Sequence, residues 1–315
     1  MSSLLPRFST LEQYRPLFRD EAVWLPALRT ICARHGLDPL TLRIAPPGSN
    51  IVFWVEDKLL IKLFVPLWPE DARKETDVLK ALAGRIPFEI PQIRAEGDLE
   101  GWPYLVLTRI CGQPLDEIWE DLDPTAREQV AASLGSRIAA LQELPTSALQ
   151  GVLPEWPGSW QVQASACLAR QRELGVSTAW LDQLAGFLDS ALPTLQTPYQ
   201  PVFLHADLNP EHLFCQETPC GWQVSGMIDF ADGMLGHPFY EWVRPGYTLH
   251  FQPDLLRAML LGAGFGPRQL DGTLSRRLFT FTLLHRFFSL PEILDLISPN
   301  PPQNLLVMQD ALWRF

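Results

Sequence analysis

Two apolar runs, IVFWV and LLIKLFV, flank the polar triplet Glu56-Asp57-Lys58 and set the clearest pattern in the first third of the chain. Their β-branched and aromatic content predicts a pair of strands joined by a turn within residues 43–65. The period then changes. In PEDARKETDVLKALAG (69–84) Ala72, Val78, Leu79 and Leu82 share one helical face, Pro69 and acidic residues open the helix, and Gly84 stops it. PQIRAEGDLEGWPYLVLTRI (91–110) returns to a hairpin pattern. The first third is therefore expected to be a β-rich lobe with one helix, residues 1–110.

CGQPLDEIWEDL (111–122) is punctuated by glycine and proline and reads as a crossing into a second lobe, residues 111–315. Asp123-Pro124 is a helix start, a capping carboxylate followed by proline at the first helical position, and that helix should run to about Leu144. Helical periodicity returns over 158–193 and 253–298. Between these segments, YQPVFLHADLNPEHLFCQ and GWQVSGMIDFADG supply short strands and loops. The expected class is α+β with a mainly helical second lobe; residues 1–42 and 243–315 receive no role.

At 315 residues, with 47% hydrophobic and 19% charged content, the chain has the composition of a folded globular protein. The N-terminus lacks a basic start and apolar core, and no apolar run reaches the roughly 18 residues of a membrane span, so a cytoplasmic protein without a membrane partner is expected. The five cysteines are scattered and odd in number, which argues against a disulfide framework. His212, Cys215 and Cys220 have zinc-ligand chemistry but lack a fourth ligand. The net charge of −11 is unevenly placed: 14 basic and 14 acidic residues in 1–110, against 11 and 22 in 111–315, where lysine is absent. Such an acidic half argues against a nucleic-acid partner and suits a cationic small molecule.

Three histidine and aspartate positions, His205-x-Asp207-x4-His212, sit between apolar runs, and Asp229 follows one apparent hairpin later. A metal-dependent hydrolase, a phosphotransferase and a turn without chemistry all remain open for this loop. His205 alone reads as a structural donor bracing the turn. Lys62 lies within an apolar strand, where a lysine either snorkels at an edge or meets a buried anion. Glu75, in the following helix, is its candidate partner, and the two together could place a point charge on nucleotide phosphates. Gly48, Ser49 and Asn50 form a small-residue turn whose backbone N–H groups could approach phosphates, although it matches no full phosphate-loop pattern.

The order of these features is that of a kinase, and the chain resembles the aminoglycoside phosphotransferase family, whose relatives include choline, homoserine and macrolide kinases. FLHADLNPEHLF resembles that family's HGDLHPGNIL loop, and GMIDFADGMLGHPFYEW its IDF-x-D-x3-GDP-x2-D segment. ARKETDVLKAL and YLVLTRICGQPL resemble its helix and hinge, so the likeness spans roughly residues 43–242. The resemblance implies a bilobal protein-kinase-like fold that uses ATP or GTP and Mg²⁺. It implies Asp207 as the group that orients or deprotonates the acceptor hydroxyl, with His205 as its brace. His212 and Asp229 would hold the metal, and Lys62, fixed by Glu75, would contact the α/β-phosphates. The backbone of Thr108, Arg109 and Ile110 would meet the purine, and the turn at Gly48, Ser49 and Asn50 the phosphates.

This sequence departs from the family pattern in two places and from protein kinases in a third. His212 stands where asparagine is usual, His237 replaces an aspartate, and Asn209 occupies the place of the lysine that follows the catalytic aspartate by two residues in protein kinases, which disfavours a protein substrate. Asp232 and Glu241 are candidate substrate contacts. The leading expectation is phosphorylation of a hydroxyl on a cationic small molecule, with an aminoglycoside antibiotic first. Alternatives are a metabolic kinase for choline, a sugar or a homoserine-like alcohol, a macrolide kinase, and a nucleotide-binding pseudokinase. For a choline-type acceptor, Trp156, Trp160 and Trp242 are candidate cage residues.

Overall fold

A computed structural model describes residues 3–46, 48–154, 159–297 and 301–315. It divides into two compact units: Met1–Arg85 with Glu89–Cys111 and Gly226–Asp232, and Ile86–Phe88 with Gly112–Ser225 and Gly233–Phe315. The first unit thus takes in a short segment distant in sequence, a feature that chain order alone does not reveal.

The first unit is built on a five-stranded antiparallel sheet. Its strands are β1 (Arg43–Ile44), β2 (Ile51–Val55), β3 (Leu59–Leu63), β4 (Ile93–Leu99) and β5 (Trp102–Thr108), in spatial order β1-β2-β3-β5-β4. Alternation along β2 buries Ile51, Phe53 and Val55 and leaves Val52 and Trp54 partly exposed, as a half-buried strand requires. Two helices precede the sheet, α1 (Leu11–Tyr14) and α2 (Glu21–His35), and α3 (Pro69–Leu82) follows β3. Asp20 caps α2 by accepting from the Ala22 N–H, and Gly36 ends it in the left-handed region at φ 67°. Trp24, Leu28, Ile31 and Cys32 of α2 are fully buried and share one core with Phe53, Ile61 and Trp102. Residues 1–42, given no role by their sequence, therefore complete the sheet's hydrophobic cover.

In the second unit, β6 (Gln113–Pro114) pairs with β8 (Leu213–Thr218), and β9 (Gly221–Met227), whose last two residues belong to the first unit, is the third strand of that sheet, while β7 (Val202–Leu204) pairs with β10 (Met234–Gly236). The helices are α4 (Leu115–Ile118), α5 (Pro124–Gln142), α6 (Trp160–Glu173), α7 (Thr178–Ala191), α8 (Val243–Thr248), α9 (Pro253–Gly262), α10 (Gly272–Leu284), α11 (Leu290–Leu296) and α12 (Leu305–Leu312). Asp123 caps α5 through the Ala126 N–H, as the Asp-Pro start predicts. α5 packs along α9, and α10 packs against α6, α7, α8 and α12, so the unit's core is helical. Cys32, Cys167, Cys215 and Cys220 are free thiols. No helix among the described residues is long and apolar enough to cross a membrane.

Candidate active site

Each unit carries its own group of charged side chains. In the first, β3 places Lys62 between Val52 of β2 and Leu105 of β5, in the middle of the sheet. A cation there needs anionic partners, and it has two: Lys62 Nζ lies 2.6 Å from Glu75 Oε2 on α3 and 3.0 Å from Asp229 Oδ1. The lysine and glutamate side chains are 8% and 2% exposed. Burial alone would lower the lysine's pKa; the two carboxylates, Asp229 and Glu75, more than reverse that and hold the ammonium above its ordinary value. Burial pushes the Glu75 carboxyl up, and Lys62 opposes it. Asp229 sits at φ 64°, uncommon for a residue with a side chain. Its segment is docked by the Met227 N–H donating to the Glu89 carbonyl at 3.0 Å and by a bridge between Glu89 and Gly226. A Cβ at Gly226 would fall 2.7 Å from that carbonyl oxygen, so only glycine permits the approach.

The small-residue turn precedes β2 in the same unit. Asn50 is 7% exposed and its Oδ1 accepts from the Val65 N–H at 3.1 Å, a brace between the two ends of the β2–β3 hairpin. The Ser49 carbonyl accepts from the Tyr14 hydroxyl at 3.4 Å, and a side chain at Gly48 would meet only open space. At the hinge, the Thr108 N–H donates to the Gln92 carbonyl and the Arg109 N–H to the Lys58 carbonyl. The Cys111 N–H donates to Glu89 Oε2 at 2.7 Å. Asp232 lies three residues beyond Asp229 in this unit.

The second group is the loop after β7. His205 is fully buried, with its ring 6.2 Å from that of His212. Ala206 takes φ 65°, turning the chain so that Asp207 follows at once. Asn209 Nδ2 donates to Asp207 Oδ1 at 3.0 Å. His212 Nδ1 lies 2.7 Å from the Asp207 backbone carbonyl, and a carbonyl only accepts, so Nδ1 carries the proton. A neutral His212 ring then has its lone pair on Nε2, the arrangement found in metal-ligating histidines whose other nitrogen donates to a carbonyl. No group of three or more metal-ligating side chains occurs among the described residues. A neutral imidazole nitrogen can coordinate a divalent metal, although Mg²⁺ prefers oxygen ligands and keeps several waters.

Glu241 lies beneath this loop. It is 2% exposed, and its carboxylate oxygens accept from the Ala206 N–H at 3.3 and 3.2 Å. Burial pushes its carboxyl up to about 8, against the pull of the Ala206 and His205 N–H groups. An acid with a raised folded-state pKa favours the fold most below its ordinary value, and that contribution is lost as pH rises toward about 8. The Tm of the protein should thus fall between pH 5 and 8.5, and Glu241→Gln should flatten that slope in thermal-melt measurements across the range. Ala206 offers a second expectation. Its positive φ costs an L-residue about 1 kcal/mol that glycine avoids, so Ala206→Gly should leave stability equal or raise it by up to ~1 kcal/mol in denaturant unfolding.

His237, the other departure from the carboxylate pattern, caps a short turn: its Nδ1 accepts from the Phe239 N–H at 3.2 Å. Burial among Tyr199, Trp160 and Phe281 lowers its pKa to about 4, so it stays neutral and does the carboxylate's accepting without its charge. Trp160 donates to the Leu195 carbonyl at 3.1 Å and Trp242 is 2% exposed against Phe265, so both are packing residues; Trp156 lies outside the described residues.

One neighbour of the loop escaped the sequence reading. Arg244 Nη2 donates to Asn209 Oδ1, and its Nε lies 3.7 Å from Asp207 Oδ1. The available signal was an arginine three residues after Glu241 in the otherwise apolar and aromatic stretch EWVRPGY.

The chain is 29% identical over 226 residues to the viomycin phosphotransferase of Streptomyces vinaceus, covering 68% of this chain and 74% of that protein. Its fold is similar to that of aminoglycoside 2'-phosphotransferase-IIIa in a GDP complex, with a TM-score of 0.69 at 20% identity over 82% of this chain and 88% of the other. A macrolide 2'-phosphotransferase from Brachybacterium faecium gives a TM-score of 0.60 at 20% identity, covering 91% and 97%. These neighbours share the bilobal kinase-like fold that the order of the motifs predicts. The model of the phosphotransferase enzyme family matches residues 41–273, which include every candidate residue above, and the chain belongs to that family.

Proposed function

We propose that this phosphotransferase moves the γ-phosphate of ATP or GTP to a hydroxyl of a cationic antibiotic, with an aminoglycoside as the first acceptor class. The observation that carries the reading is Lys62, a buried sheet lysine held between Glu75 and Asp229 at 2.6 and 3.0 Å. Such a lysine is a fixed point charge for nucleotide phosphates, and phosphoryl transfer depends on positioning and charge neutralisation more than on covalent catalysis. Among the family's solved structures are complexes with GDP and ATP, which supports the nucleotide as phosphate donor.

In this reading Asp207 orients or deprotonates the acceptor hydroxyl, and Glu241 and His205 hold its loop. The burial of Glu241 and its bonds to Ala206 favour this bracing role over a contact with substrate. His212 and Asp229 are each a candidate ligand for Mg²⁺, which when bound would neutralise charge on the phosphate oxygens. The purine would meet the Ile110 amide and the carbonyls of Thr108–Ile110, because the Thr108 and Arg109 amides already donate within the unit. The turn at Gly48 and Ser49 would cover the phosphates, and Asn50 would hold that turn in place.

A cationic acceptor is supported by Asp116 and Glu117, exposed on α4, which packs on the turn holding His212. The test is a phosphate-transfer screen with ATP and GTP over aminoglycosides, viomycin, macrolides and choline. At least one cationic antibiotic should be turned over. The double variant Asp116→Asn/Glu117→Gln should raise its KM by about 2–10-fold with kcat little changed. Silence across the whole panel would overturn the reading.

A further inference from the structure

The catalytic loop is strapped at three points by a single stretch of eight residues. Glu241 accepts from the Ala206 N–H, and the Thr248 hydroxyl donates to the Leu208 carbonyl at 3.1 Å. Between them, at the start of α8, Arg244 reaches Asn209 Oδ1 with Nη2 and places Nε 3.7 Å from Asp207 Oδ1. Asn209 closes a triangle by donating to that same Asp207 oxygen at 3.0 Å. The guanidinium is itself held on two sides, with its carbon 5.5 Å from the centroid of the Tyr247 ring and 5.6 Å from that of Phe287. Its side chain is 21% exposed and that of Asp207 17%, so both charges are largely withdrawn from solvent.

We propose that Arg244 is the positioning residue for phosphoryl transfer: it holds one carboxylate oxygen of Asp207, by its charge and through the hydrogen bonds of Asn209, so that the aspartate is aimed before the acceptor arrives. The inference rests on Asp207 being the acceptor-facing carboxylate. It also accounts for Asn209. Protein kinases carry a lysine two residues after the catalytic aspartate, and here the loop has no cation of its own at that place. The charge comes instead from α8, with Asn209 as the relay. A guanidinium suits this better than an ammonium, because its planar, delocalised charge lets Nη2 hydrogen-bond Asn209 Oδ1 while Nε stays at ion-pair distance, 3.7 Å, from Asp207 Oδ1. A residue that only filled space would need neither the charge nor the fork.

The test uses the full-length enzyme with an acceptor found in the screen. Arg244→Ala should lower kcat by about 10–10²-fold, the loss expected when a reacting group shifts by about an ångström, while the nucleotide KM stays within about twofold. Added guanidinium at low millimolar concentration should restore part of that kcat. Arg244→Lys, which keeps the charge and most of the volume, should fall between Ala and wild type and covers the case in which the alanine variant fails to fold. Asn209→Ala should lower kcat as well, and the double variant should lose less than the product of the two single losses, because the residues act as one unit. An unchanged kcat in Arg244→Ala, no rescue by guanidinium in a folded variant, or multiplicative losses in the double variant would each overturn the proposal. If instead Asp207→Asn retains full activity, the assignment of Asp207 is what fails.

Discussion

Asp207→Asn is expected to lower kcat for phosphate transfer by about 10²–10⁴-fold, the range over which a positioned general base contributes. The substitution is nearly isosteric. Its Oδ1 can still accept from Asn209 Nδ2, at 3.0 Å in the native loop, and the backbone carbonyl on which His212 rests is unchanged. The loop's outer supports, Glu241 on Ala206 and Thr248 on Leu208, do not involve the substituted carboxylate. The variant should therefore melt near the wild-type temperature and bind nucleotide as before, with the loss confined to transfer. Single-turnover kinetics with a saturating acceptor separates this from an effect on product release. A kcat within tenfold of wild type would remove Asp207 from the role assigned to it and reopen the simpler view of the loop as a braced turn.

The parts that could be read before folding were those in which residue type and local spacing suffice. The alternation of IVFWV gives β2 and its buried face, and the apolar run around Lys62 marks a lysine that needs an anion. The spacing of HADLNPEH separates Asp207 from His212 within one turn. Other features depend on partners far along the chain. Glu241 was expected as a substrate contact because an acid near a catalytic segment is indistinguishable, in sequence, from one buried under it. Its two N–H donors lie 35 and 36 residues upstream. Arg244 was missed for the same reason, with its partner Asn209 35 residues away. Asn50 looked like part of a phosphate turn, and its side chain is spent on the Val65 amide. The helix α2 is a different case. Trp24, Leu28, Ile31 and Cys32 recur at helical spacing, but Pro26 inside the helix interrupts the pattern, and residues 1–42 are given no role by their sequence.

Charge is the other place where the fold changes the picture. The acidic excess of the second half suggests a broadly negative surface for a cationic acceptor, yet the charged group 3.7 Å from the proposed base is an arginine. Both can hold at once, since Asp116 and Glu117 are exposed while Arg244 is mostly enclosed by Tyr247 and Phe287. Net charge describes the approach of the acceptor, and the local pair decides how the hydroxyl is met.

Lys62→Met should be the most damaging single change in the first unit, and for two separable reasons. Removing the ammonium leaves Glu75, 2% exposed, without its cation and close to a second carboxylate, Asp229. Breaking a buried ion pair from one side costs about 3–5 kcal/mol, so the variant should unfold at markedly lower denaturant. Transfer should also fall by at least about 10²-fold, because the fixed charge for the nucleotide phosphates is gone. The double variant Lys62→Met/Glu75→Gln distinguishes the two effects. With the glutamate neutral, most of the lost stability should return, since the buried carboxylate no longer lacks a cation, while activity should stay at the level of the single variant. Paired denaturant melts and transfer rates measure both quantities on the same samples. If the double variant recovers activity along with stability, Lys62 serves the fold alone and contributes no charge to the reaction. If stability fails to return, then Asp229, rather than Glu75, is the carboxylate that most needs the lysine, and Lys62→Met/Asp229→Asn should be the pair that restores it.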